Sequence, residues 1–215
     1  MKKTFCFVLA VVLSGFLLMA EEGKSPAACG FKVFPGLALD FAGFRPSLLG
    51  DDSQKIRFMF QGGIGYEIEL AKDFLIELDV MFKPTGYIIN QVMGGVTTKI
   101  TSRGFAISAP LFLKYKFMPG NAPYLLAGGE LGYILSQKSD YEVGGTKLTV
   151  DNLNDTRRLY GGLVFGIGTQ VGISQKMSLV VEARYQLGLT NAIKNPMSNE
   201  YIHFNSILVL LGLRF

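Results

Sequence analysis

Charged side chains recur at alternate positions along segments that are otherwise apolar. Glu77 and Asp79 lie two residues apart, as do Lys114 and Lys116. Because successive side chains of a β-strand point to opposite faces, residues two apart share a face. Acids and bases gathered on one face can form ion pairs, so their chemistry is charge pairing or the gating of a polar path.

The same alternation assigns thirteen charged positions to a common inner face. They are Asp40, Arg57, Glu67, Glu69, Glu77, Asp79, Lys114, Lys116, Glu130, Arg158, Glu182, Arg184 and Arg214. Acids and bases are nearly balanced in this set, and charges removed from water must pair. Two interpretations remain open: a structural plug of salt bridges, or a narrow polar pore gated by side-chain motion.

A catalytic site is weakly indicated. His203 is the single histidine, with Glu200 and Ser206 nearby. Nucleophilic catalysis needs the base within hydrogen-bond reach of the nucleophile. If a strand begins at Phe204, His203 and Ser206 point to opposite faces. We therefore predict no catalytic residues and no enzyme, and a lipid-modifying enzyme is the second alternative to the main functional prediction.

Cofactor motifs fail on their context. Asp151–Asp155 lacks the glycine turn and the terminal glutamate of a calcium loop. The glycines of Gly161–Gly168 imitate the spacing of a phosphate-binding loop, but they lie in a strand pattern with no helix after it. We predict no metal and no cofactor.

The elements that position these charges are predicted to be strands. About eight segments alternate apolar with polar or small residues. They lie near 31–45, 55–70, 74–89, 103–117, 123–137, 157–173, 178–190 and 204–215. In the third segment, one face carries Ile76, Leu78, Val80 and Phe82, and the other carries Glu77, Asp79 and Lys83. The fold class is therefore all-β.

Segment and loop lengths favour a membrane barrel over a soluble sandwich. Most segments exceed the roughly 9–11 residues that a tilted strand needs to cross a bilayer. Short connections at 71–73, 118–122 and 174–177 alternate with long ones at 46–54, 90–102, 138–156 and 191–203. We predict an antiparallel up-and-down transmembrane β-barrel of about eight strands, closed by its first and last strands. A soluble calycin-like barrel, with its apolar face inside, is the main alternative.

Both ends of the chain agree with export to an outer membrane. A basic start and an apolar run predict a signal peptide over 1–20, removed on export. An N-terminal periplasmic segment over 21–30 and the barrel over 31–215 are expected to follow. Leu211, Leu213 and Phe215 end the last strand and resemble the signal read by the barrel-assembly machinery. Cys29 is either an inert thiol or a lipidation site.

The net charge of the chain argues against a nucleic-acid partner. The formal net charge is +4, and no basic stripe with interleaved aromatics is present, so nucleic acid is not predicted as a partner. The predicted partners are outer-membrane lipid, the assembly machinery, and an external ligand at loops 139–155 and 191–203. The glycine pair Gly144-Gly145 predicts a hairpin turn in the first of these loops.

Several strings, in order, resemble a known family. They are FQGGIGYEIEL, APLFLKYKF, APYLLAGGELGYILS, YGGLVFGIGTQVGIS, SLVVEARYQLGLTN and LGLRF. From about Arg57 to Phe215 the chain resembles the PorT-like outer-membrane β-barrel domain family of diderm bacteria. The resemblance implies a small barrel of about eight strands and no catalytic motif. We expect a non-enzymatic structural or surface-interaction protein with a closed lumen; the alternative is a narrow channel for small or hydrophobic solutes.

Overall fold

The computed structural model describes residues 29–45, 53–55, 57–93, 96–118, 123–174, 176–194 and 201–215. Its strands are β1 Cys29–Arg45, β2 Ser53–Lys55, β3 Arg57–Ala71, β4 Phe74–Met93, β5 Val96–Lys116, β6 Pro123–Val143, β7 Thr146–Asp151, β8 Leu159–Ser174, β9 Met177–Gly188 and β10 Tyr201–Arg214. Among these residues, no helix has both the length and the apolar composition needed to cross a membrane.

Eight of these strands close into one antiparallel barrel, as the alternation predicts. The order around the barrel is β4, β3, β1, β10, β9, β8, β6 and β5, and β5 returns to pair with β4. The first and last barrel strands meet along a long seam that runs from Lys32 opposite Arg214 to Arg45 opposite Tyr201. Closure leaves no free sheet edge in hydrocarbon, where each unpaired backbone group costs several kcal/mol.

Two short strands lengthen the barrel wall at one end. Strand β2 pairs with residues 88–90 of β4, and β7 pairs with the end of β6 through a turn at Gly144 and Gly145. Both glycines have positive φ, 55° and 83°, which glycine adopts without a side-chain clash. The hairpin turn predicted at this pair is therefore confirmed. We call this end of the barrel the extended end and the opposite one the short-turn end.

The long loop predicted at 90–102 is wrong. Strands β4 and β5 continue pairing up to Met93 opposite Val96. The β-branched and alternating run from Thr97 to Thr101 suits a strand better than a loop. With 20 and 21 residues, β4 and β5 are about twice as long as a bilayer requires, so the sheet projects well beyond the membrane.

The outward surface of the barrel is apolar. Phe58 is 76% exposed, Leu113 51% and Val209 52%, whereas Glu77, Lys114 and Arg184 are at most 1% exposed. This is the reverse of a soluble barrel, which hides its apolar face. The calycin-like alternative is therefore excluded.

Apolar side chains also contribute to the inside of the barrel. Phe34, Ala38, Met81, Leu208 and Leu210 form one buried cluster. Phe112, Tyr124, Leu126, Val164 and Val180 form a second. The lumen is thus filled by side chains, as expected for eight strands.

The N-terminal predictions fall largely outside the described residues. The signal peptide over 1–20 and the segment 21–28 belong to that part of the chain, as do residues 46–52 and 195–200 of two predicted loops. Strand β1 begins at Cys29, two residues before the expected start of the barrel. The side chain of Cys29 lies outside the described residues, so both of its interpretations stay predictions.

Candidate functional site

The short-turn half of the lumen holds a cluster of buried charges, which we call the charge cluster. Its members are Lys32, Glu67, Glu77, Asp79, Lys114, Glu182, Arg184 and Arg214. They come from six different barrel strands, and the period-two rhythm of each strand turns them inward. All except Arg214 are at most 2% exposed.

Arg184 of β9 lies at the centre of the charge cluster. Its Nη1 is 2.7 Å from Asp79 Oδ2, and its Nη2 is 2.9 Å from Glu77 Oε1. Its Nη2 also lies 2.5 Å from Glu182 Oε2. The guanidinium is 4.5 Å from the ring centre of Phe112. An arginine suits this position because its planar fork can bind several carboxylates while its face contacts a ring.

Two lysines complete the pairing around Arg184. Lys114 Nζ is 2.6 Å from Glu67 Oε1 and 2.6 Å from Glu77 Oε2. Lys32 Nζ contacts Glu77 and lies 2.9 Å from Glu182 Oε1. Lys114 Nζ also lies 3.4 Å from Glu182 Oε1. Each ammonium thus bridges carboxylates of β4 and β9, which lie on opposite sides of the barrel wall.

A tyrosine and a second arginine add contacts to Glu182 and Glu67. Tyr124 donates its hydroxyl to Glu182 at 2.6 Å, and its ring lies 4.1 Å from Lys114 Nζ. Arg214 Nε lies 2.6 Å from Glu67 Oε2 at the short-turn mouth. Tyr124 lies near a strand end, where aromatic residues often face the membrane interface. It is 1% exposed inside the barrel, since its place in the alternation points it inward.

The charge cluster holds four cations and four carboxyl groups among the described residues, so its formal charges cancel. Neutrality matters because an unpaired buried charge costs several kcal/mol. One oxygen is left over: Asp79 Oδ1 has no hydrogen-bond partner within the described part of the chain. It lies over Gly65, where any Cβ would overlap it.

A second, smaller buried pair lies halfway up the lumen. Lys83 Nζ is 2.7 Å from Glu130 Oε1 and 3.0 Å from Gln186 Oε1. Tyr160 donates its hydroxyl to Glu130 at 3.3 Å. A cavity of about 30 Å³ adjoins this pair. A polar cavity of that size has room for water.

The extended end opens into a larger cavity, which we call the vestibule. Its volume is about 280 Å³. Among its lining residues are Tyr87, Ser102, Gln137, Tyr141, Asn152 and Phe204. These side chains are aromatic or neutral and polar, in contrast to the charge cluster below them.

The hairpin of β6 and β7 stands beside the vestibule and is held by Asp140. Asp140 accepts a hydrogen bond from Thr149 Oγ1 at 2.8 Å and pairs with Lys147 at 3.2 Å. It also pairs with Arg103 of β5. The Thr149 hydrogen bond, with smaller contributions from Lys147 and Arg103, holds the pKa of Asp140 below its usual range.

The sequence of the barrel identifies its family. The outer membrane protein β-barrel domain model matches residues 31–194, which is well over half of the chain. The chain belongs to this family. Membership places the protein in an outer membrane. The finer resemblance to PorT-like proteins stays a prediction. Among curated proteins, none matches the chain.

Solved outer-membrane barrels share this architecture. The outer membrane protein OprG from Pseudomonas aeruginosa superposes with a TM-score of 0.53 and 14% identity, over 88% of this chain and 96% of that one. A major outer membrane protein from Thermus thermophilus gives 0.51 and 16%, over 87% and 98%. At such identities the likeness extends to the fold alone.

Of the thirteen charged positions assigned by alternation, seven lie in the charge cluster. They are Glu67, Glu77, Asp79, Lys114, Glu182, Arg184 and Arg214. Glu130 belongs to the pair halfway up. Arg57 donates to the Ser102 carbonyl at 2.7 Å, nearer the extended end.

The other predicted positions are placed differently. Glu69 and Lys116 are half-buried at the short-turn mouth, outside the charge cluster. Arg158 precedes β8, and its carbonyl accepts a hydrogen bond from Ile134. The register sets Asp40 opposite Arg57 and Ser206, but its side chain lies outside the described residues.

Two central cations were not in the predicted set. The sequence pattern does not identify Lys32 as an inward-facing residue, because Phe34, two residues further along β1, is apolar and also points into the lumen. Lys83 lay on the polar face of its segment, and the alternation could have included it.

The predicted absences of catalytic residues and of a metal stay predictions. Ser206 donates its hydroxyl to Gln186 Oε1 at 2.5 Å, and Glu200 lies outside the described residues. Within the described part of the chain, no group of three or more histidine, cysteine or acidic side chains is placed to hold a metal ion.

Proposed function

We propose that this protein is a non-enzymatic outer-membrane barrel whose lumen is closed by the charge cluster and whose extended end serves surface interactions. The observation that carries the proposal is the charge cluster, whose four cations and four carboxyl groups join six strands across the lumen at ion-pair distances of no more than 3.4 Å. An eight-stranded barrel has little interior space beyond its own side chains.

The orientation follows from the lengths of the connections. Outer-membrane barrels have short periplasmic turns and long external loops. By that rule the short-turn end faces the periplasm, and the vestibule and the β6–β7 hairpin face outside. The predicted signal peptide over 1–20 supports export, and the terminal residues Leu211, Leu213 and Phe215 support recognition by the barrel-assembly machinery.

A planar-bilayer measurement tests the closed lumen. The refolded wild-type barrel is expected to pass no steady ion current. The Arg184→Ala variant removes the central cation and leaves its carboxylate partners exposed to entering water, so we expect current steps to appear. Steady conductance of the wild type, unchanged in this variant, would overturn the closed lumen.

A narrow channel is the second candidate. It is supported by the two cavities of about 30 Å³ and about 280 Å³ that lie above the charge cluster. A solute path would require the ion pairs of Arg184 to open. Wild-type conductance that rises further in Glu77→Gln would favour this candidate over the closed barrel.

The surface role is tested by shortening the external hairpin. Deletion of residues 141–150 with a two-residue turn in their place removes most of β7 and the last three residues of β6, and it leaves β6 paired with β5 up to Asp140. We expect cells that display this variant to lose adherence, while heat-modifiable gel mobility shows an intact barrel. Unchanged adherence together with normal surface display would count against a role for the hairpin.

A further inference from the structure

The vestibule has the chemistry of a sugar site. We propose that it binds one neutral saccharide ring, presented either free or as the end of a glycolipid head group. The inference deepens the proposed surface role and rests on the outward orientation of the extended end. It is carried by a polar floor, an aromatic wall, the near absence of charge and the bracing of the surrounding loops.

The floor of the vestibule is built from buried hydroxyl and amide groups. Ser102, Gln137 and Ser139 are 1%, 4% and 2% exposed. Gln137 Nε2 donates to Ser102 Oγ, and Asn152 Nδ2 donates to Ser139 Oγ at 2.8 Å. Each amide nitrogen carries two N–H groups. Within the described residues one N–H of Gln137 and one of Asn152 are used, which leaves donors for a ligand.

The wall of the vestibule is aromatic. The rings of Tyr87 and Phe204 stack with centroids 6.3 Å apart and planes 26° from parallel. Tyr141 lines the same cavity. A sugar ring presents an apolar C–H face and an edge of hydroxyl groups. An aromatic wall beside amide and hydroxyl groups matches both surfaces, because tyrosine combines an apolar body with a polar tip.

The charge of the lining narrows the ligand class. Among the described lining residues, Asp155 supplies the one charged side chain. A phosphate or sulfate group would need arginine or lysine donors in the lining. A carboxylate accepts hydrogen bonds from hydroxyl groups and repels anions. The lining therefore favours a neutral polyol over an anionic ligand.

The loops around the vestibule are braced by backbone hydrogen bonds. Asn152 N donates to Gln137 O at 3.0 Å, and Lys194 N donates to Asp155 O at 2.9 Å. Thr156 forms a bridge with Ile193. The first contact ties the loop after β7 to β6, and the other two join that loop to the loop after β9. A braced site costs less ordering when a ligand binds.

The size of the vestibule sets the length of the ligand. At about 280 Å³ it lies just below the range of about 300–1,000 Å³ typical of pockets for drug-sized molecules. One ring fits this space, and further sugars of a chain would extend into solvent. Weak affinity, near a dissociation constant of about 1 mM, is expected for a single ring.

Saturation-transfer NMR on the full barrel in a sugar-free detergent tests the proposal. The probes are glucose, galactose, N-acetylglucosamine and a sulfated disaccharide. At least one neutral sugar is expected to bind, and its affinity should fall about tenfold in Gln137→Leu, which removes one amide. Tyr141→Ala, on the half-buried rim, should weaken binding too and serves if Gln137→Leu fails to fold. Glu142→Gln, on the hairpin outside the lining, should bind as the wild type does.

A parallel arm uses nanodiscs that contain a neutral glycolipid. Binding of the free sugar identifies a soluble ligand, and binding of the glycolipid alone identifies a lipid head group. The proposal is overturned if neither is bound, if the sulfated sugar is preferred, or if Gln137→Leu and Tyr141→Ala bind as the wild type does. Such a result leaves the closed lumen untouched, because the conductance experiment tests that separately.

Discussion

The two ends of the lumen solve the problem of buried polarity in different ways. At the short-turn end, eight charged side chains pair with one another, and Glu77 and Arg184 are fully or almost fully buried. At the extended end, the vestibule is lined by amides, hydroxyls and rings beside an open cavity. Both regions are built on the same strands, since Ser102 and Lys114 both belong to β5.

The difference reflects access to water. Charges removed from water need nearby opposite charges, and the gain from each pair depends on every partner being present. Neutral polar groups beside a wet cavity need only hydrogen bonds, which water or a ligand can supply. We therefore expect the short-turn end to dominate stability and the extended end to tolerate change.

The largest effect is expected from removing Arg184. Arg184→Ala leaves Glu77, Asp79 and Glu182 without their shared cation, and breaking such a buried group costs about 3–5 kcal/mol. The free energy of unfolding, measured by urea titration in lipid vesicles with gel mobility as the readout, should fall by this amount. Arg157→Ala, on an exposed arginine near the vestibule, should change it by less than about 0.5 kcal/mol. Equal effects of the two substitutions would refute the contrast between the ends.

A smaller effect is expected from crowding the charge cluster. A methyl group at Gly65 would overlap Asp79 Oδ1, whereas one at Gly129 would meet nothing within 4 Å. Overpacking a filled interior costs about 1–3 kcal/mol. Gly65→Ala should therefore lower the urea midpoint of unfolding, and Gly129→Ala should leave it within error. A tolerated Gly65→Ala would mean that the carboxylate of Asp79 is free to move.

The hairpin at the extended end should respond to acid. Because the folded pKa of Asp140 is lowered, its contribution is fully present above the unfolded value of about 3.9 and is lost as pH falls through the lower folded value. Backbone amide shifts of β7 should stay constant at neutral pH and change only below about pH 4. In Asp140→Asn this acid transition should disappear. A transition near neutral pH would assign it to another group.

The smallest effect is expected from the outermost ion pair. Lys99 and Glu142 lie 3.6 Å apart, and their side chains are 49% and 51% exposed. Exposed pairs contribute about 0.2–1 kcal/mol, and salt screens them further. Lys99→Ala should shift the urea midpoint slightly at low salt and not at all in high salt. A loss as large as that of Arg184→Ala would contradict the comparison.

The sequence predicts the barrel and its inner face well because alternation depends on one physical choice, hydrocarbon outside and ion pairs inside. Phe58, Glu77 and Arg184 each follow from the rhythm of their own strand. Lys32 does not, because β1 also turns Phe34 inward and the pattern becomes ambiguous. Where the inner face of a strand carries both apolar and charged residues, the alternation in one sequence no longer shows which face points inward.

Strand ends and partners were beyond the sequence. The extension of β4 to Met93 depends on its pairing with β5, which short-range propensity does not register. Tyr124 and Tyr160 lie near strand ends, where interface aromatics are common. In the structure both point into the lumen and donate hydrogen bonds to Glu182 and Glu130. The curvature of the barrel brings together strands that are far apart in the chain, and this determines which acid pairs with which base.

The ion pairs at the seam tie completion of the cluster to completion of the wall. Lys32 of the first strand pairs with Glu182 of β9, and Arg214 of the last strand pairs with Glu67 of β3, so both contacts cross the seam. Before the first and last strands pair, the open sheet carries carboxylates that lack a cation partner, and such unpaired charges are costly in an apolar environment. The open sheet therefore lacks backbone hydrogen bonds at its two edges and ion pairs on its inner face. Pairing of the first and last strands supplies both.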